Sequence, residues 1–174
     1  MSSSSNKNEP QLAVGGETDH GIELPADRAQ LVHDVRELFC SRPTLEILKK
    51  WWAPDAVFED PIAIAKGYDQ YSAQWFGMPK AFPKSETLAW KVTRNEPSLI
   101  EYEQRQKYTI AGIKTTKEML SLVHIELGQD GKITKLEDRW NGNPLPQGSI
   151  AKTLRNFNAQ YFVPTFVSVP KEDK

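Results

Sequence analysis

The chain has 174 residues, a formal net charge of −1 and 39% hydrophobic residues, which is the profile of one globular domain with tails and a core large enough to fold alone. The balanced charge excludes the basic excess that a nucleic-acid or anionic-membrane partner requires, and no apolar run is long enough to span a bilayer. A single cysteine, Cys40, excludes an internal disulfide and reads as a small buried hydrophobe, while His20, His33 and His124 are too scattered for a metal site.

Residues 1–23, rich in Ser, Asn and Gly, read as a disordered tail without a secretory signal, so an intracellular, cytoplasmic location is the default expectation. A first helix is expected from about Pro25, because Leu31, Val35, Leu38 and Phe39 make one apolar stripe before Arg42-Pro43 breaks it. A second helix should run from about Thr44 and stop at Pro54, with Leu45, Leu48 and Trp52 on one side and Trp51-Trp52 anchoring it in the core. Asp55 to Pro61 then reads as a short strand that points Ala56, Phe58 and Asp60 one way. Lys66-Gly67 is a turn into a third helix, expected to span about Tyr68 to Phe76 and to end at Gly77 and Pro79.

The middle of the chain reads as strands. Leu88, Trp90 and Val92 alternate with polar residues. From Ile100 to Ile110 one face is Ile100, Tyr102, Gln104, Gln106, Tyr108 and Ile110, and the other is the charged set Glu101, Glu103, Arg105 and Lys107. Ala111-Gly112 turns the chain into a strand from about Lys117 to Leu127, with Val123 facing inward and His124 facing outward beside Leu120 and Leu122. After the turn Gln129-Asp130-Gly131, the last strand runs from Ile133 to Trp140, with Leu136, Asp138 and Trp140 on a common face. Ser149 is placed to cap a final helix carrying Ile150, Leu154, Phe157 and Tyr161, ended by Pro164. The domain therefore spans 24–165, followed by a tail at 166–174. Helices beside a hairpin-rich sheet, without βαβ alternation, define an α+β class.

The strand Asp55 to Pro61, set between a helix and Gly67, and the Asp-Gly-Lys-Ile turn leading to Arg139-Trp140 resemble the cone-shaped fold of nuclear transport factor 2. Ketosteroid isomerase and the SnoaL-like polyketide cyclases share that fold. The resemblance covers about Ala26 to Pro144 and implies a curved antiparallel sheet wrapped around N-terminal helices, enclosing a pocket, with an extra C-terminal helix here. In the isomerase the acid of a similar Glu-Asp-Pro is the general base, a position held by Asp60. Alignment on Asp60 and Trp140 puts Arg36 near the Tyr and Val123 at the Asp of the isomerase oxyanion hole. Neither can donate as required, so ketosteroid isomerisation is not expected. Asp138 is the nearest counterpart of the acid used by SnoaL-like cyclases.

On that fold the inward set is Phe58, Asp60, Tyr102, Gln104, Gln106, Tyr108, Val123, Asp138 and Trp140. Each unpaired polar group among them would cost about 1–3 kcal/mol, so they call for partners, water or a ligand. Asp60 and Asp138 are the candidate catalytic acids, and the others are candidate ligand contacts. The structural alternatives are a turn-capping role for Asp60 and a salt bridge from Asp138 to Arg36, Arg94 or another base. Two functions remain open. One is a cofactor-free acid/base lyase or isomerase acting on a small apolar carbonyl compound. The other is a non-catalytic ligand-binding or dimerisation module. A homodimer through the outer sheet face, centred on Leu120, Leu122 and His124, is the expected assembly.

Overall fold

The computed structural model describes residues 19–113, 115–158 and 167–170. Helices α1 (Ala26–Phe39) and α2 (Leu45–Trp51) lead into strands β1 (Trp52–Glu59) and β2 (Ile64–Lys66). Helix α3 (Tyr68–Ala81) follows, then the meander β3 (Lys84–Glu96), β4 (Leu99–Thr109), β5 (Thr116–Leu127) and β6 (Ile133–Trp140), and finally α4 (Ser149–Phe157). The positions expected at Tyr161 and Pro164, and the tail up to residue 18, lie outside the described residues.

The six strands form one sheet in the order β2-β1-β6-β5-β4-β3. It is mixed rather than antiparallel as expected, because β1 pairs parallel with β6. The chain leaves β1 through the short β2 hairpin and returns by way of α3 and the meander, which brings β6 beside β1 in the same direction. Register shifts between Thr87 and Ala89 and between Val92 and Arg94 in β3, between Trp52 and Val57 in β1, and between Glu126 and Leu127 in β5 bend the sheet. The helices pack on its inner face, where Leu31, Val35, Leu38 and Phe39 of α1 and Tyr71 and Trp75 of α3 meet Ile100, Tyr102, Val123, Ile125 and Leu136.

Three boundaries differ from the sequence reading. Trp52 and Ala53 are strand, not helix. Pro54 disfavours helix at the residue before it, and its missing N–H falls in the stretch where β1 skips register with β6. Trp52 is buried in the core, but Trp51 sits at its edge, where its Nε1 donates to Asp34 Oδ2 at 2.7 Å. Helix α3 runs through Gly77 and Pro79 to Ala81. Pro79 gives up one intrahelical bond, and the next turn still closes through Phe82 N to Met78 O at 2.7 Å.

At the other end, residues 19–22 belong to the fold. Val92 N donates to His20 O at 2.8 Å, Ile22 N donates to Val92 O at 3.1 Å, and the His20 ring stacks on Trp90 at 4.3 Å. Gly21 allows this approach: its φ is +75°, and a Cβ there would lie 2.2 Å from Val92 O. Deleting residues 1–18 should therefore leave the denaturant midpoint unchanged. Deleting residues 1–23 should cost roughly 1–2 kcal/mol through the lost backbone pair and ring stack. Equal midpoints for the two truncations would show that this edge contact contributes nothing.

Candidate active site

Strand register brings the two candidate acids together. In the parallel β1–β6 ladder Phe58 pairs with Leu136 and Glu59 with Glu137, and Asp60, one residue past the end of that ladder, lies close enough to Asp138 to feel its charge. Phe58 is buried against the Trp75 ring at 4.8 Å and forms an apolar floor next to Asp60.

Asp60 ends β1 and caps the turn that follows. Its Oδ1 accepts from Ile62 N at 2.8 Å and Ala63 N at 2.6 Å, and its own N–H donates to Ala63 O at 3.0 Å. Both side-chain bonds fall on one oxygen, so Oδ2 has no hydrogen-bond partner among the described residues. Burial and then the neighbouring Asp138 charge push the Asp60 carboxyl up to about 7, against the pull of the two backbone donors and of Arg155.

Arg155, almost fully buried on α4, holds this turn from the far side. Its Nε donates to Asp60 O at 2.8 Å, and its terminal nitrogens donate to Glu59 Oε2 at 3.2 Å and Pro146 O at 3.2 Å. Sequence periodicity pointed only to the apolar residues of this helix. A lone arginine gives no period, so its role was not readable.

Asp138 is buried. Its Oδ2 accepts from Trp140 Nε1 at 2.9 Å, while Oδ1 is enclosed without a partner. Among the described residues it makes no salt bridge to Arg36 or Arg94, and Arg94 instead pairs with Glu96 at 2.7 Å. Burial pushes Asp138 up to about 6. The Ser121 hydroxyl lies near enough to pull it down, yet it is outside hydrogen-bond geometry with any group.

Across β5 and β4 the same face carries more buried polar atoms that lack partners. They are Ser121 Oγ, Tyr102 Oη and both amide atoms of Gln104, with Trp75 Nε1 contributed by α3. The pairings Tyr102–Val123–Asp138 and Gln104–Ser121–Trp140 align these side chains in two adjacent rows. Val123 is a fully buried apolar spacer between Tyr102 and Asp138. Ser121 was absent from the sequence-derived set, although its two-residue spacing from Val123 places it on this face.

Two other expected contacts are occupied. The Gln106 amide nitrogen donates to Ser85 Oγ at 2.8 Å and Phe39 O at 3.2 Å, and its oxygen accepts from Thr87 Oγ1 at 2.8 Å. It therefore ties β4 to β3 and to the end of α1. Cys40 is buried against the same group. Tyr108 is buried against Phe82 at 4.8 Å, and burial holds its hydroxyl well above the ordinary value. On the outer face His124 Nδ1 pairs with Glu101 Oε1 at 2.7 Å, away from the acids. A surface depression lined by Leu45, Glu46, Lys49 and Lys50 on α2 shares no residue with the acid cluster. Among the described residues no group of His, Cys, Asp and Glu could hold a metal ion, and no helix is long and apolar enough to cross a membrane.

No protein-family model matches the sequence, and no curated protein matches it. Solved structures do match. A nuclear transport factor 2-like protein from Anabaena variabilis aligns over 68% of this chain and 93% of its own, with 15% identity and a TM-score of 0.56. A candidate SnoaL-like polyketide cyclase from Jannaschia sp. aligns over 87% of this chain and 100% of its own, with 14% identity and a TM-score of 0.51. Bal32a, from a soil-derived mobile gene cassette, aligns over 64% and 89%, with 14% identity and a TM-score of 0.52. Sequence identities this low speak to architecture. The chain has the nuclear transport factor 2-like α+β fold, with helices against a curved mixed sheet.

Proposed function

We propose that the inner face of the sheet binds a small, largely apolar carbonyl compound, and that Asp60 and Asp138 work there as a cofactor-free acid/base pair of a lyase or isomerase. The observation that carries this reading is the proximity of Asp60, which is half-buried, to the buried carboxyl of Asp138, beside the unpartnered polar atoms of Tyr102, Gln104 and Ser121. Leaving each of those atoms bare costs about 1–3 kcal/mol, so a ligand oxygen that pairs with them gains affinity. Near neutral pH Asp60 is divided between acid and base forms, and Asp138 is mostly ionised. In this role Asp60 Oδ2 takes a proton from the carbon next to a substrate carbonyl, and Tyr102 or Gln104 donates to the oxygen where charge develops. Phe58, Val123 and Trp140 wall the site. Gln106 and Tyr108 support it from behind.

The direct test is deuterium incorporation next to the carbonyl of small ketones incubated with the protein in heavy water. The wild type should accelerate exchange, and Asp60→Asn should lose at least ~100-fold of that rate with the fold intact. Binding without exchange would move the assignment to the second reading, a ligand-binding module. Trp75 Nε1 and the other unpartnered polar atoms would serve that module equally well. A second copy of the chain is proposed to dock on the outer face, where Leu120 and Leu122 are half-buried beside the His124–Glu101 pair. A monomer mass by light scattering would remove that assembly.

A further inference from the structure

Arg36, on α1, is a cation without an ion-pair partner among the described residues. It is half-buried, and its guanidinium carbon sits 4.3 Å from the centre of the Trp90 ring. Its Nε is enclosed without a hydrogen-bond partner, and among the described residues it forms no ion pair. The adjacent carboxylate, Glu37, is already held by Arg42 through two bonds of 2.5 and 2.6 Å. A half-buried guanidinium whose Nε is enclosed beside an aromatic face has lost hydration there that cation–π attraction replaces in part.

Its position ties it to the acid cluster. Trp90 pairs across the β3–β4 ladder with Gln104, and Val92 pairs with Tyr102, so Arg36 lies above the strand next to the unpartnered amide and phenol. Arg36 and Tyr102 are close enough for each to shift the ionisation of the other. The sequence of groups across the inner face is Arg36 over Trp90, then Gln104 and Tyr102, then Ser121, then Asp138 and Asp60.

We propose that the ligand is a carboxylate whose anionic end is held by Arg36 with help from Tyr102, with the rest of the molecule directed toward Gln104 and Ser121. This rests on the inner-face binding reading and narrows its substrate class. Carboxylate is favoured because the guanidinium fork matches its two oxygens and a Tyr hydroxyl adds one further donor. A ligand anion docked beside Asp60 and Asp138 would be repelled, so its charge has to lie at the far end, where Arg36 is.

The test uses phenylacetate as the probe, with phenylacetamide as its neutral isostere and inorganic phosphate as a competing anion. The readout is the Nε–H resonance of Arg36 in the full-length protein. Phenylacetate should shift that resonance saturably, and phenylacetamide should bind at least ~10-fold more weakly, the usual loss for a charge-assisted bond. In the variants, which lack that resonance, binding is read from the line broadening of phenylacetate itself: Arg36→Met, which keeps the stem on Trp90, should lose the same factor, and Arg36→Lys should recover part of it. If Arg36→Met does not fold, the acid–amide comparison on the wild type still decides. Equal binding of acid and amide, tighter binding of phosphate, or no saturable shift with any probe overturns the proposal. Phenylacetate held at Arg36 without ketone exchange would leave this inference standing and end the acid/base reading. Exchange on neutral ketones without carboxylate preference would do the reverse.

Discussion

Asp138→Asn should make the protein more stable at about pH 8 and change it little near pH 4, by about 1–3 kcal/mol at the alkaline end. The sign follows from the two carboxyls. Both are raised in the folded state from an ordinary value of 3.8, Asp60 to about 7 and Asp138 to about 6. Their contribution to stability is therefore fully present below the unfolded value, and it is lost as pH rises through 6 and 7. Wild-type stability should fall across that window, since each unit of separation corresponds to about 1.4 kcal/mol before screening and coupling reduce it. Asparagine keeps an acceptor for Trp140 Nε1 and carries no charge, so the variant escapes the alkaline loss. Asp60 should then titrate lower than in the wild type but stay above the ordinary value, because burial outweighs the Asp138 charge among its causes. Denaturant melts across pH, together with carbon NMR of the Asp60 carboxyl, give both readings. A constant destabilisation at every pH would mean that the Asp138 carboxylate holds the fold through Trp140, and the acid-pair assignment would fail.

Trp75→Ala should cost about 3–5 kcal/mol, the range for truncating a buried large aromatic. Trp75 is nearly fully buried and meets Phe39 at 5.2 Å, Phe58 at 4.8 Å and Trp52 at 5.9 Å, so it joins α3 to α1 and to β1. Losing it also frees Phe58, two residues before Asp60. Trp75→Phe separates packing from polarity. It gives up ring area but removes Nε1, a buried donor with no partner, and should cost no more than about 1 kcal/mol. A much larger loss for Trp75→Phe would show that Nε1 has a structural partner. If Trp75→Phe keeps stability but loses ketone binding, Nε1 belongs to the ligand site.

Periodicity made the sheet legible. The alternation from Tyr102 to Tyr108 and from Leu136 to Trp140 put the polar inward residues on one face, and the structure keeps them there. Periodicity does not say which strands are neighbours. The β1–β6 pairing, which joins Asp60 to Asp138, depends on the route of the whole chain, and β2 is too short to show a period. Hydrogen-bond satisfaction was equally unreadable. Gln104 and Gln106 look identical in sequence, yet one amide is bare and the other is saturated, because only the second faces Ser85, Thr87 and the end of α1. Arg155 and Arg36 follow no sequence period on their helices, and their importance comes from what packs around them.

The parallel contact between the first strand and the last also bears on how the protein is made. Helix α3 and four strands lie between the two halves of the acid pair, so their meeting closes a long loop and belongs to the slow, non-local part of folding. During synthesis the β1 hairpin emerges with its inner edge unpaired, and only arrival of β6 covers it. The chain therefore has no acid pair until its sheet is complete. For the proposed acid/base chemistry a nascent or broken molecule is inert rather than partly active, and its exposed β1 edge makes it prone to aggregate.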